Sequence, residues 1–370
     1  MSVALDRSQH PVSFEVLADS TINQKKWLEL RMLGVAASEA ASLQGLSPWT
    51  SKYALWAQKT KRMPPEDLSG SEPVFWGQRL EWAIIAGYSE KTGRAVVPFG
   101  LLCRSLSYPV LLATPDALTT DRPDAKERSH QLNRAVGAMR RAIRQGKVVP
   151  FELVAEFEAL AEGWFPLQVK NIGFNSAEHW HEGAPDYYRV QCQQEAIVLG
   201  KQLCSAAALV AGQSLIWEDI ERDELADRRI VNLAQNFWHE NVLDNVSPTV
   251  DGSDATTTAL RRMYKVADPT KVLPLSASLL EVAEERDVLK EQIKSLEERV
   301  QAIDNRVRDE MKDASEGRFP DGSGFTYKQY ETPEKTVVYP ARSYRTLLRK
   351  KKPSDKAPRK KKTPLPEEST

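Results

Sequence analysis

The 370-residue sequence predicts a mixed α/β domain followed by a long helix and a basic tail. Three observations carry that reading. An apolar run over 108–113 leads into Thr114-Pro115-Asp116, and a second strand-like run ends on Gln168-Val169-Lys170, 52 positions later. Apolar residues at helical spacing fill most of the stretches around these two strands. From 279 to 313 the period changes. There Val282, Leu289, Ile293, Leu296, Val300, Ile303 and Val307 mostly alternate spacings of four and three, with charges between them. This is a heptad pattern, interrupted at Arg286, of roughly 45–50 Å at 1.5 Å per residue.

The elements follow in order. Residues 1–24 are polar and read as irregular. A helix starts near Asn23 and carries Trp27, Leu28, Leu30 and Met32. A second, short helix follows Gly34 and stops at Gly45. Ser47-Pro48-Trp49 opens a third, with Tyr53, Leu55 and Trp56 at helical spacing, and Pro64-Pro65 breaks it. A longer helix over 75–92 aligns Leu80, Ala83, Ile84, Gly87 and Tyr88 on one face before Gly93. Runs 95–99 and 101–103 read as a hairpin. A helical insert over 121–162, basic then acidic, separates the two strands of the opening observation. Beyond them come a helix over 187–199, strands at 206–210 and 215–217, and helices over 222–242 and 258–264. The domain therefore spans 25–268. After the heptads of 279–313, a small hairpin is expected within 317–340, from 325–328 and 336–339. Residues 341–370 are Lys/Pro-rich and read as a disordered tail.

Net charge is zero, yet the last 30 residues carry eleven Lys/Arg against three acids, and the remainder carries the balancing negative charge. Such asymmetry points to a tail that meets a polyanion, with Lys350, Lys351 and Lys352 at its centre, or to a solvated tail. The three cysteines, Cys103, Cys192 and Cys204, show no C-x-x-C spacing. No run reaches the ~18 apolar residues of a membrane span, and the first twenty residues hold no apolar leader segment. A reducing, cytoplasmic setting is expected.

The candidate site gathers Glu81, Asp116, Gln168, Lys170 and Gln191. Alternation along a strand turns Gln168 and Lys170 to one side, with Leu167 and Val169 to the other. Carboxylate oxygens and an amide oxygen are ligands for a hard divalent cation, and a lysine two positions on steers a water or a phosphate. Taken singly, each piece is an ordinary turn, strand face or solvated helix. The pair His179 and His181 lacks a partner to complete a zinc site. The tryptophans at 49, 56, 76 and 82 read as core.

Several motifs together resemble the YqaJ-type viral recombinase family, relatives of the lambda-type exonuclease in the PD-(D/E)xK superfamily. They are Arg31 with Gly34-x-x-x-Ser38-Glu39-Ala40-Ala41, then Gly45-x-Ser47-Pro48-Trp49, Tyr53-x-Leu55-Trp56 and Gly77-x-x-Leu80-Glu81. Ala113-Thr114-Pro115-Asp116, Gln168-Val169-Lys170, Pro185-x-Tyr187-Tyr188-x-x-Gln191 and Pro248-x-x-Asp251-Gly252-Ser253 follow. The resemblance covers residues from about 27 to 265. It implies a three-layer, restriction-endonuclease-like α/β core and a nuclease that digests duplex DNA from an end for phage-type recombination. It implies Mg²⁺ or Mn²⁺ on Glu81, Asp116 and position 168, with Lys170 positioning the attacking water and Gln191 supporting the site. Arg31 and Ser38 would grip a phosphate, and a ring-like homo-oligomer would fit the family.

Two departures matter. Position 168 is Gln where the family has Glu, so one full charge is missing beside the cation. The connection from Asp116 is also long, and its arginines Arg134, Arg140, Arg141 and Arg144 either clamp DNA or decorate a surface helical hairpin. A silent DNA-end binder, or an assembly platform for a single-strand annealing protein built on the heptads, are the competing readings.

Overall fold

The structure is a computed structural model that describes residues 12–64, 70–332 and 345–349. The chain forms two compact units, one ending at Tyr264 and one beginning at Lys265. The first opens with β1 (Phe14–Asp19), α1 (Gln24–Arg31), β2 (Val35–Ala36), α2 (Ala37–Leu43), α3 (Lys52–Lys59) and the long α4 (Glu72–Thr92). It continues with β3 (Ala95–Pro98), β4 (Leu101–Ser105), β5 (Leu111–Ala113), β6 (Ala117–Thr120), α5 (Ala125–Arg144) and α6 (Phe151–Leu160). Then come β7 (Phe165–Ile172), α7 (Asp186–Val198), β8 (Leu203–Val210), β9 (Ser214–Glu221), α8 (Glu224–Asn236) and α9 (Asp254–Met263). The second unit holds α10 (Ala277–Met311), β10 (Glu316–Arg318) and β11 (Gly324–Thr326).

Local chemistry sets the helix ends. The side chains of Asn23 and Ser51 accept the backbone N–H of Lys26 and Ala54, which caps α1 and α3. Helix α4 has proline in its first turn and ends on Gly93 at φ 71°, a left-handed position glycine adopts without a Cβ clash.

The larger sheet runs β3-β6-β7-β8-β9. Its β7–β8 pair is parallel, so the chain crosses over between them, and α7 is that crossover. Helix α4 covers one face, setting Ile84, Ile85 and Tyr88 on Leu167, Val169 and Ala207. Helix α7 covers the other, setting Cys192 and Ala196 on Ala206 and Ala208. A smaller sheet runs β1-β4-β5-β2. Gln194 on α7 ties to it by donating to the carbonyls of Val35 at 2.8 Å and Leu112 at 2.9 Å.

Several expectations give way. Part of the polar N-terminal segment is strand β1, because Phe14, Val16 and Ala18 alternate inward and bury against the core. Runs 95–99 and 101–103 do not form a hairpin. They part at Gly100 (φ 58°), and β3 pairs with β6 while β4 pairs with β1 and β5. The stretch 121–162 is no surface hairpin. Leu132, Val136 and Met139 of α5 and Phe157 of α6 lie in the largest core, with Phe14 and Phe99. The Phe99 and Phe157 rings stack at 5.3 Å. In the second unit, β11 pairs with β10, upstream of the expected partner, and 336–339 lies outside the described residues. So do Lys350, Lys351 and Lys352. All three cysteines are free and buried. Among the described residues no helix is long and apolar enough to cross a membrane.

Candidate active site

Strand pairing builds the centre. Antiparallel β6 and β7 set Ala117 against Leu167, so Asp116 falls beside Gln168. The Gln168 Nε2 donates to Asp116 Oδ2 at 2.5 Å, and the Val169 N–H donates to the same oxygen at 2.8 Å. Gln168 is buried, and its Oε1 has no hydrogen-bond partner. Residues 168 and 170 share the β7 face turned to α7, where Lys170 Nζ sits 5.1 Å from the centre of the Tyr188 ring. That contact is a cation–π pairing, which steadies the ammonium over the ring.

Glu81 reaches the centre from α4. It lies three, four and seven positions before Ile84, Ile85 and Tyr88, on the helix face that packs the sheet. Burial is the main reason its carboxyl is pushed up to about 7, with the Asp116 charge adding and Lys170 opposing. Asp116 is pushed up to about 6, again first by burial, against Lys170 and the two hydrogen bonds it accepts.

Gln191 is buried on α7 and donates to Glu195 Oε1 at 2.9 Å. The motifs did not single out Glu195, yet its carboxyl is buried and feels the same groups. Burial and the Asp116 charge push it up to about 8, against Gln191 and Lys170. The available signal was its spacing. Glu195 lies one turn after Gln191 in a helix whose residues from Gln191 to Val198 are all buried.

A second charged cluster forms where β2 runs into α2. Parallel pairing of β2 with β5 sets Ala36 against Leu112, so Ser38 and the Asp116 loop leave the small sheet at the same end. Arg31 donates to Ser38 Oγ at 2.9 Å and lies 3.5 Å from Glu39, with its guanidinium 4.6 Å above the Trp27 ring. Lys59 is buried, pairs with Glu39 at 2.7 Å and donates to the Arg31 carbonyl. Burial works against the Glu39 charge, yet Lys59 and Arg31 hold its carboxyl below the usual range.

Other candidates part from the centre. Arg140 is committed to buried Asp19 at 2.8 Å and to the Phe99 carbonyl at 2.9 Å, so it braces α5 on β1 and is not a free clamp. Arg141 is exposed on the same helix. Trp56 is core, but Trp49, Trp76 and Trp82 are exposed. Trp76 and Trp82 fall off the stripe of α4 that carries Ile84, Ile85 and Tyr88, which the apolar count alone hides. Trp49 packs edge-on against Tyr187 at 5.1 Å.

The donor set fits a hard cation. No three His, Cys, Asp or Glu side chains gather as a metal cluster among the described residues. The unpartnered Oε1 of Gln168 is an oxygen in want of a positive neighbour, and two crowded carboxyls with raised pKa values are relieved by one.

Residues 26–202 match the YqaJ-like viral recombinase domain, so the resemblance read from the motifs holds over that stretch. The chain is 27% identical over 307 residues to the uncharacterized protein YqaJ of Bacillus subtilis (strain 168), across 82% of this chain and 83% of that one. An alkaline exonuclease (LHK-Exo) from Laribacter hongkongensis is similar at 18% identity and a TM-score of 0.41, over 66% of this chain and 100% of that chain. The same exonuclease in complex with dAMP aligns at a TM-score of 0.41 over 60% and 93%.

Proposed function

We propose that the chain, which carries a YqaJ-like viral recombinase domain over 26–202, is a metal-dependent deoxyribonuclease that digests duplex DNA from an end. The carrying observation is the convergence of Glu81, Asp116 and the Gln168–Lys170 pair of β7, drawn from three distant segments into one group. Glu81, Asp116 and the Oε1 of Gln168 would hold Mg²⁺ or Mn²⁺. Such an ion lowers the pKa of a bound water and polarises a phosphoryl oxygen. Lys170, steadied over Tyr188, orients the attacking water and offsets charge that grows on the phosphate. Gln191 fixes Glu195 and so keeps the α7 side of the site in place. Arg31, pre-aimed by Ser38 and Trp27, supplies the fork-shaped donor that a terminal phosphate prefers. The resemblance extends this to recombination, with double-stranded DNA ends as substrate and a homo-oligomer or a single-strand annealing protein as partner. A cytoplasmic setting, in a bacterium or a phage-infected cell, belongs to the same reading. Lys350, Lys351 and Lys352 would add sequence-independent DNA affinity by releasing counterions.

One observation favours a second reading. The Gln168 amide donates onto Asp116, so part of the acidic pair is already spent. In that case the chain binds DNA ends without cutting them. An assay on linear, nicked and closed-circular duplexes, with Mg²⁺, Mn²⁺ or chelator, separates the two. Loss of linear duplex alone, and only with a divalent ion, supports the exonuclease. Binding without cleavage under every ion supports the second reading.

A further inference from the structure

Four aromatic rings run from the core to solvent beside the candidate site. Trp180 is buried against the face of the larger sheet that α7 covers. Its ring lies 5.9 Å from that of Tyr188, which lies 4.5 Å from that of Tyr187. Trp49 ends the series, 5.1 Å from Tyr187 and 6.1 Å from Tyr188. Local chemistry fixes its place. The Ser47 hydroxyl accepts the N–H groups of Trp49 and Thr50, and Ser51 then caps α3. The indole sits on a pinned turn, yet it is 64% exposed. A lone exposed apolar side chain is ordinary. An exposed indole that ends a row of packed rings is a flat apolar surface already ordered for contact.

The Tyr188 ring also holds Lys170 Nζ, at 5.1 Å. One ring therefore separates Trp49 from the lysine set against the scissile phosphate. The two steps together span about the rise of three stacked nucleotides, at roughly 3.4 Å each. We propose that Trp49 is the stacking platform for a base of the bound DNA end, within about three nucleotides of the scissile phosphate, an assignment that rests on the duplex-end function above. A phosphodiester seated at Lys170 brings flat bases into that reach. Stacking on an aromatic ring accepts every base, because each has a π-face, and so suits digestion through any sequence. It also supplies what phosphate contacts lack, since those alone let a protein slide along the backbone. Tyr187 and Tyr188 are half-buried and carry Trp49 from behind.

The test uses the full chain in chelator, so that binding is read without turnover. The probes are linear duplexes carrying 5-iododeoxyuridine at the first, second or third position from one end, photo-cross-linked and mapped by mass spectrometry. In the parent the cross-link should map to Trp49. Trp49→Ala should abolish it and weaken duplex binding about tenfold. Trp49→Phe, which keeps a π-face, should retain most of both. Trp49→Leu, which keeps apolar bulk without one, should behave as alanine does, and it decides the question should alanine loosen the turn. Cross-links from all three positions that map elsewhere overturn the proposal, as does a Trp49→Leu variant that binds as tightly as the parent. Parent-like binding by Trp49→Ala with a smaller mass in light scattering would make Trp49 a contact between copies and overturn it. Parent-like binding with slower cleavage under Mn²⁺ would make Trp49 a prop for Tyr188 and Lys170, and overturn it equally. A parent that binds no duplex sinks the proposed function and the stacking role together. A parent that cross-links at Trp49 but cuts nothing under any divalent ion sinks the nuclease alone and upholds the stacking.

Discussion

The first unit holds two charged clusters with opposite surpluses. Around α2, one carboxylate, Glu39, faces two cations, Arg31 and Lys59. Around β7, the carboxyls of Glu81, Asp116 and Glu195 face one cation, Lys170. In both clusters burial works against the carboxylate charge. The outcomes diverge because of the partners. Glu39 is held below the usual carboxylate range, while Glu81, Asp116 and Glu195 are all raised. A cluster with spare positive charge suits a phosphate. A cluster with spare acid and an unpartnered amide oxygen suits a divalent cation.

The largest expected effect tests whether the acidic cluster is chemical. Lys170→Ala should cut cleavage on the order of 10²–10⁴-fold, read as single-turnover loss of a linear duplex. DNA binding should stay near the parent value, because phosphate contacts elsewhere supply it. Cleavage at the parent rate would remove Lys170 from the site.

The next effect tests whether the basic cluster also holds the fold. Lys59→Met leaves Glu39 buried with Arg31 as its remaining cation. Removing one member of a buried pair costs about 3–5 kcal/mol, measured by denaturant unfolding. A change within experimental scatter would mean that Arg31 alone balances Glu39.

A smaller effect sharpens the assignment of position 168. Gln168→Glu restores a full charge beside the proposed cation site and should tighten Mn²⁺ binding about tenfold or more, by calorimetry. Unchanged affinity would place Gln168 outside the donor set.

The smallest effect is on pH dependence without metal. Glu195 titrates near its ordinary value of 4.5 when unfolded and near 8 when folded. Between those values the folded chain holds the extra proton, so stability falls as pH rises from about 4.5 to about 8. Glu81 contributes with the same sign up to about 7. With chelator present, Glu195→Gln should flatten the decline of melting temperature over that window. An equal decline in parent and variant would show that Glu195 carries none of it.

Much of the site was legible because strand alternation is local. Leu167 and Val169 had to face one layer, and Gln168 and Lys170 the other, whatever the fold. Glu81 was legible from its place among Leu80, Ile84 and Tyr88. Glu195 was not, since a glutamate one turn past a glutamine usually lies in solvent. Its meaning depends on α7 being sealed between two sheets. Trp49, Trp76 and Trp82 were misjudged for the converse reason, because hydrophobicity does not say which side of an element finds a neighbour.

The sequence by itself determined the α/β succession, the long helix α10, and the order Glu81, Asp116, Gln168, Lys170, Gln191 along the chain. These are matters of period and spacing, set within a few residues of each position. Only the tertiary structure decided that β3 and β4 belong to different sheets, that α5 and α6 are core, and that Arg140 braces Asp19. Those outcomes depend on which distant apolar faces bury one another, and Phe14, Phe99 and Phe157 meet across more than a hundred residues of chain. Burial likewise decided the charges, because a carboxyl's state depends on the water and the cations that folding leaves beside it.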